Sequence, residues 1–403
     1  MTTYVDTLRR LGMGAVLAFT TACGEGDGNP SGPEPPESPP DVGLEPSEGC
    51  SDGVLEHGAL YRICFPANWN GDLVLYAHGY VAPQRELGIP EDVVGGRPAS
   101  SLVTGLGYAY ATTSYRANGL VAPDAVADLL ELVDTVEFRY RPDPARTIVV
   151  GFSEGALVAT LAAERHPDRF DGALAGCGPI GDFQAQLDYI ADFRVVFDYF
   201  FPGLIPGNAL DIPESVQERW DQLYVPAIVL ALAAGPHAAR DLLRVTRAPA
   251  AGDDLRSIAE TTIGLLWYNV FGTADAQARL GGQPYDNTAR VYAGSSDDSA
   301  LNAGVDRFAA EPAAVAAIGR FNTTGNLTVP LVNLHTTGDP IVPFSQASLY
   351  TAKVARTNQS SRFTQIDIER HGHCSFEAGE LLNAFAELWD QIGEPSAAAV
   401  AAR

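Results

Sequence analysis

Nine consecutive residues constrain this chain more than any others: Ile148-Val149-Val150-Gly151-Phe152-Ser153-Glu154-Gly155-Ala156. A β-branched run, which reads as a buried strand, passes through a glycine-flanked serine straight into an Ala- and Leu-rich segment, Glu154 to Arg165. That segment is a good helix, and Pro167 supplies its stop. Turning from strand to helix over so few residues demands a strained backbone and a close helix–strand approach, which a β-carbon at the glycines would block. The serine is thereby presented at the end of a strand. The plain alternative is a glycine-rich turn carrying an inert serine.

From about residue 54, short apolar runs alternate with longer helical stretches, which predicts an α/β fold: a mostly parallel central sheet with helices on both faces. Leu73 to Ala77 and Ile148 to Val150 read as buried strands, Tyr108 to Thr113 and about Gly172 to Cys177 as two more. Ala125 to Tyr140 reads as a helix, with Val126, Leu129, Leu130, Val133 and Val136 at helical spacing and Asp124 as its cap. Residues 181–326 break the alternation, with helix-like apolar stretches and no clear strand, and are expected to form a mainly helical inserted cap. Its run of aromatics, including Phe193, Phe197, Tyr199, Phe200 and Phe201, must pack on something, either the cap's own core or an acyl pocket; own-core packing is the expectation. Leu327 to Leu334 resumes the sheet, followed by a helix near Gln346 to Val354, a strand near Phe363 to Ile368 and a closing helix from Glu377 to Gln391. The core is thus read as residues 49–180 and 327–395.

The chain starts differently. In residues 1–23, Arg9 and Arg10 precede an apolar run, Leu11 to Ala22, that is short for a membrane span and reads as an export signal. Its end, Thr20-Thr21-Ala22-Cys23, resembles a bacterial lipoprotein cleavage site, which implies lipid on Cys23 and a cell-envelope lipoprotein; ordinary secretion is the alternative. Residues 24–48, rich in Gly, Pro, Glu and Ser, suit a disordered tether. A formal charge of −24 leaves no basic surface for phosphates, so no nucleic-acid partner is expected, and membrane contact only through the lipid. No CxxC or HxxxH spacing occurs, so neither a metal nor another cofactor is expected. Of five cysteines, four remain beside Cys23, an even number suited to two disulfides in an oxidising compartment.

The Gly-x-Ser-x-Gly turn in its strand and helix resembles the nucleophile elbow of the α/β-hydrolase superfamily, and the resemblance extends over roughly residues 54–393. It implies the chain order nucleophile, acid, histidine. Thr337-Gly338-Asp339-Pro340-Ile341-Val342-Pro343 is similar to the superfamily's acid loop, and Arg370-His371-Gly372-His373-Cys374 to its histidine loop. The implied triad is Ser153, Asp339 and His373, with His371 the lesser candidate for the base and His335 a supporting residue. Oxyanion donors are then the backbone N–H of Glu154 and, in the HG-x-like His78-Gly79-Tyr80, that of Tyr80 with Gly79 as fallback. His78 itself reads as a buried polar residue. The Glu154 carboxylate is expected to favour a helix N-terminus, and Asp182, Asp297 and Asp298 to be surface charges. A small or lipophilic carboxylic ester is the implied substrate; an exopeptidase or amidase with the same triad and a catalytically silent binding protein are the rivals. The expected disulfides are Cys50–Cys64, which flank the first hairpin, and Cys177–Cys374, which join a strand end to the histidine loop; free thiols are the alternative for the second pair.

Overall fold

The computed structural model describes residues 48–393 except 91, 95–96 and 141–142. The export signal, Cys23 and nearly all of the tether lie outside the described residues.

Eight strands form one sheet: β1 (Gly49–Val54), β2 (Leu60–Phe65), β3 (Leu73–Ala77), β4 (Ala109–Thr113), β5 (Thr147–Phe152), β6 (Gly172–Gly176), β7 (Leu331–Gly338) and β8 (Phe363–His371). Their order is β1-β2-β4-β3-β5-β6-β7-β8. The hairpin β1–β2 and the pair β2–β4 are antiparallel, and every pairing from β4 through β3 to β8 is parallel. Parallel neighbours need crossovers, which helices provide. These include α1 (Ala99–Gly105), α2 (Ala122–Arg139), α3 (Glu154–Arg165), α8 (Ser345–Arg356) and α9 (Ala378–Ile392).

Alternation along the central strands sorts side chains onto two faces. Leu73, Leu75, Val149, Ala173, Ala175 and Leu331 join one buried cluster with α2 and α3. Val74, Ile148, Val150, Leu174, Val332 and Leu334 join another with Ala384 and Leu388 of α9. The alanines on the first face let α3 lie close to the sheet. A Cβ on Gly155 would collide with the Ala77 carbonyl, and one on Gly151 with the backbone of Gly155, so both glycines are sterically required. Truncating the wholly buried Leu157 to Ala would cost roughly 2–5 kcal/mol.

Between β6 and β7 the described chain is helical: α4 (Phe183–Phe200), α5 (Val225–Ala234), α6 (Pro236–Thr246), α7 (Leu255–Leu280) and shorter turns. Phe193, Phe197 and Phe201 are buried. The same core holds a wholly buried Arg194, whose guanidinium donates to Asp198 at 2.8 Å and to the Ile205 carbonyl at 3.1 Å. Burial raises the Asp198 carboxyl to about 6.

Several expectations need correction. The helix expected at Ala125 starts at Ala122, so Asp124 sits inside its first turn rather than at its cap. The strand expected from Leu327 starts at Leu331, because Pro330 has no N–H to give the ladder; its carbonyl instead accepts from Ala173 at 3.0 Å. At its other end β7 runs on to Gly338, and β8 reaches His371 after a register shift, so both loops begin later than the pattern suggested. Asp182 and Asp297 cap helices through their carboxylates, and Asp298 binds the backbone of Gly294 and Ser295, so these three do more than carry surface charge.

Candidate active site

Ser153 follows β5 and precedes α3 with φ 58° and ψ −126°, a left-handed conformation that a non-glycine residue adopts only when its surroundings compel it. Its N–H donates to the Gly176 carbonyl at 2.9 Å, which ties the turn to β6. The His373 Nε2 lies 2.9 Å from the Ser153 Oγ, and its Nδ1 lies 2.7 Å from Asp339 Oδ2. The other oxygen of Asp339 accepts from the N–H groups of Ile341 and Val342, at 2.8 and 3.0 Å. Three bonds thus leave the wholly buried carboxylate one orientation. That one oxygen faces the imidazole means Nδ1 carries the proton and Nε2 is free to accept from the serine.

A strand-to-helix serine on a parallel sheet is joined, through the histidine after the last strand, to an aspartate after the strand before it. The chain has the α/β-hydrolase fold.

No protein-family model matches the chain. An o-phthalyl amidase of Xanthobacter agilis is 24% identical over 398 aligned residues, covering 81% of this chain and 84% of the amidase. Among solved structures, the Pyrococcus furiosus esterase Pf2001 superposes with a TM-score of 0.45 at 14% identity, covering 87% of this chain and 98% of the esterase. Feruloyl esterase B from Aspergillus oryzae gives 0.45 at 14%, over 79% of this chain and 71% of that one. A puromycin-hydrolyzing peptidase of Mycobacterium tuberculosis gives 0.43 at 13%; the match takes in 86% of this chain but only 39% of the peptidase.

The other histidines of the α/β-hydrolase core have separate partners. His371 ends β8 with Nε2 3.3 Å from the Pro249 carbonyl. His335 is wholly buried behind Asp339, 3.7 Å from its Oδ2, and donates from Nε2 to the Val342 carbonyl at 2.9 Å. Burial lowers its proton affinity, so the ring stays neutral beside the acid. His78 is buried, stacks on Tyr115 with centroids 3.9 Å apart, and approaches the Gly79 carbonyl at 2.7 Å. That bond orients the Gly79–Tyr80 peptide. A Cβ on Gly79 would lie 3.3 Å from the Ser153 Cβ, so the loop passes directly over the serine.

Glu154 heads α3, where the first N–H groups of a helix have no intrahelical acceptor. Its carboxylate accepts from the Val121 N–H at 2.9 Å, so it caps α2, a neighbouring helix, rather than its own. Burial is the main cause that pushes this carboxyl up to about 8, with the nearby Asp275 adding to it.

Both disulfides are present. Cys50–Cys64 staples β1 to β2, and Cys177–Cys374 joins the residue after β6 to the residue after His373, across 197 positions of sequence. Cys177 and Cys374 both have positive φ, at 49° and 51°, and the Cys374 Sγ is 3.6 Å from His373 Nε2. The Gly372 carbonyl also accepts from Thr336 Oγ1 at 2.6 Å, so the histidine loop is pinned on both sides of His373.

An apolar cleft opens on the serine, with about 870 Å3 of space counting its mouth. The β6–β7 helices supply most of its wall, among them Leu187, Ile190 and Ala191 of α4 and Ala276 of α7, while Leu120, Pro179 and Ile341 belong to the core. Phe193, Phe197 and Phe201 do not line it, in keeping with the own-core expectation.

Three residues of those helices were missed in the sequence. Tyr268, on α7, lines the cleft together with Ser153; burial raises its phenol, which therefore stays protonated. Tyr189 donates to the Pro340 carbonyl and Gln186 to the Ile341 carbonyl, each at 2.8 Å, so α4 braces the loop that holds Asp339. No spacing flags the last two, because their partners lie 151 to 155 residues away. Tyr80 makes a similar link, its hydroxyl donating to the Phe271 carbonyl at 3.1 Å.

Proposed function

We propose that this protein is an exported serine hydrolase that cleaves carboxylic esters with an apolar acyl group through a covalent acyl-enzyme. The observation that carries this reading is the Ser153–His373–Asp339 relay opening onto the apolar cleft. A serine hydroxyl is a weak nucleophile until a base takes its proton as the bond forms. His373 Nε2 takes that proton, Oγ adds to the ester carbonyl, and Asp339 stabilises the imidazolium. The N–H groups of Glu154 and of Tyr80, or Gly79 in its place, hold the oxyanion. Collapse expels the alkoxide, which leaves as alcohol with the proton from His373. A water molecule then repeats the cycle on the acyl-enzyme and releases the acid. Residues 181–326 act as a cap that selects the acyl group, and residues 1–48 export and tether the protein.

The second reading is amide hydrolysis of the same acyl groups, favoured by the amidase relative. It uses the same steps but requires His373 to protonate a poorer leaving group, so esters react faster on either reading. Labelling with a serine-directed phosphonate tests the first claim: a Ser153 adduct is expected, and its absence in the folded protein overturns it. Matched p-nitroanilides of the preferred acyl groups then separate the two readings: turnover that is lost in Ser153→Ala supports amide hydrolysis, and no turnover leaves the ester reading alone.

A further inference from the structure

One residue of the cleft wall carries a buried atom without a partner. Gln186 is 8% exposed, and its Nε2 donates to the Ile341 carbonyl at 2.8 Å. A carbonyl can only accept, so this bond fixes which end of the amide is nitrogen and leaves Oε1 as an acceptor. Oε1 is buried and unpartnered. Among the described residues, other buried polar atoms also lack partners, but none of them belongs to a residue that lines the cleft. Leaving a buried acceptor unsatisfied is costly, and such an atom at a binding site calls for a donor from the ligand.

The rest of the wall says what kind of donor. Among the described residues no Lys or Arg lines the cleft, so no fixed cation there balances an anionic acyl group. Among the described residues Glu154 is the one acidic residue of the wall, and its carboxyl is engaged with the N-terminus of α2. A neutral hydroxyl or amide N–H set on an otherwise apolar acyl group fits both facts.

We infer that Gln186 is a specificity-determining residue, whose Oε1 accepts a hydrogen bond from a neutral O–H or N–H donor on an apolar acyl group. The inference rests on the acyl-hydrolase reading above and narrows its substrate class. The amide sits on α4 and is held by the acid loop, so the same side chain that reads the acyl group also braces the segment carrying Asp339. A site built around a hydrogen bond rejects a substrate that lacks it more strongly than a greasy pocket rejects a missing methylene.

The test uses p-nitrophenyl esters of hydroxyphenylalkanoic acids, with the hydroxyl at each ring position, against their deoxy and methoxy counterparts. On the wild-type protein, at least one hydroxyl isomer should exceed its deoxy partner in kcat/KM by about 10- to 100-fold. Gln186→Met should bring that ratio close to one. Because the ratio is taken within one protein, any general loss from the missing brace cancels. Equal turnover of every matched pair by the wild type, or a preference that survives in Gln186→Met, overturns the inference while leaving the hydrolase reading intact. If Gln186→Met does not fold, the wild-type pairs alone decide. No turnover of any ester, together with no phosphonate adduct, would instead remove the hydrolase reading and this inference with it.

Discussion

The sheet and the β6–β7 helices hold the same site in different ways. In the sheet, each reactive group sits where a strand ends: Ser153 after β5, Asp339 after β7, His373 after β8. Backbone bonds, two glycines and a disulfide fix it there. The helices contribute an apolar wall and a few polar atoms, those of Tyr189 and Gln186 among them, that reach across to the loop carrying Asp339. Chemistry needs fixed positions and substrate choice needs a shape, so substitutions in the sheet should alter the rate for every substrate and those in the helices the ratio between substrates.

The largest effect should come from the sheet. Ser153→Ala and His373→Ala are each expected to lower kcat by about 10^3-fold or more while far-UV circular dichroism is unchanged, because such a unit fails together. His371→Ala should retain most activity; an inactive His371→Ala beside an active His373→Ala would reassign the base. Tyr268→Phe is where the two regions could blur. Loss of its cleft-lining hydroxyl should cost roughly tenfold in kcat for all esters alike, as removal of a neutral donor beside developing charge would. A change confined to some acyl groups would return Tyr268 to the wall.

Within the helices, Ile190→Trp should fill the cleft and lower kcat/KM for long acyl chains relative to acetate. Phe197→Ala should leave that ratio alone yet cost roughly 3–5 kcal/mol of stability, read from urea melts, since Phe197 is wholly buried away from the cleft. A ratio that follows Phe197 would merge cap core and pocket.

The smallest effect concerns pH. The Glu154 carboxyl, ordinarily near 4.5, is raised to about 8 in the fold. Between those values the native protein keeps a proton that the unfolded chain has lost, so the stability it provides is full below about pH 4.5 and declines as pH rises to 8. Thermal melts of wild type should therefore fall by a few degrees relative to Glu154→Gln between pH 5 and 8. Parallel melting curves would show the carboxylate to be ionised throughout.

The contrast also explains what could be read from sequence. The elbow was legible because strand, glycines and helix are contiguous, and Asp339 and His373 because each follows a strand in a fixed order. The helix bounds at Glu154 and Arg165 come out as the pattern suggests. Asp124 misled because its acidic side chain near a helix start looks like a cap, whereas the actual cap for α2 comes from Glu154, 33 residues on from the Val121 N–H it binds. Gln186, Tyr189 and Tyr268 left no trace, since a helix that faces a cleft and one that faces a core share the same apolar period.

The bond between Cys177 and Cys374 has a topological consequence. It closes a covalent ring across a sequence separation of 197 that takes in every helix from α4 to α8, together with β7 and β8. A protease that cuts once among those helices opens the ring without releasing a fragment. The nicked protein should migrate as one species on a denaturing gel without reductant and separate into two pieces with it. Damage to those helices would thus leave the serine and its histidine on one covalently connected molecule.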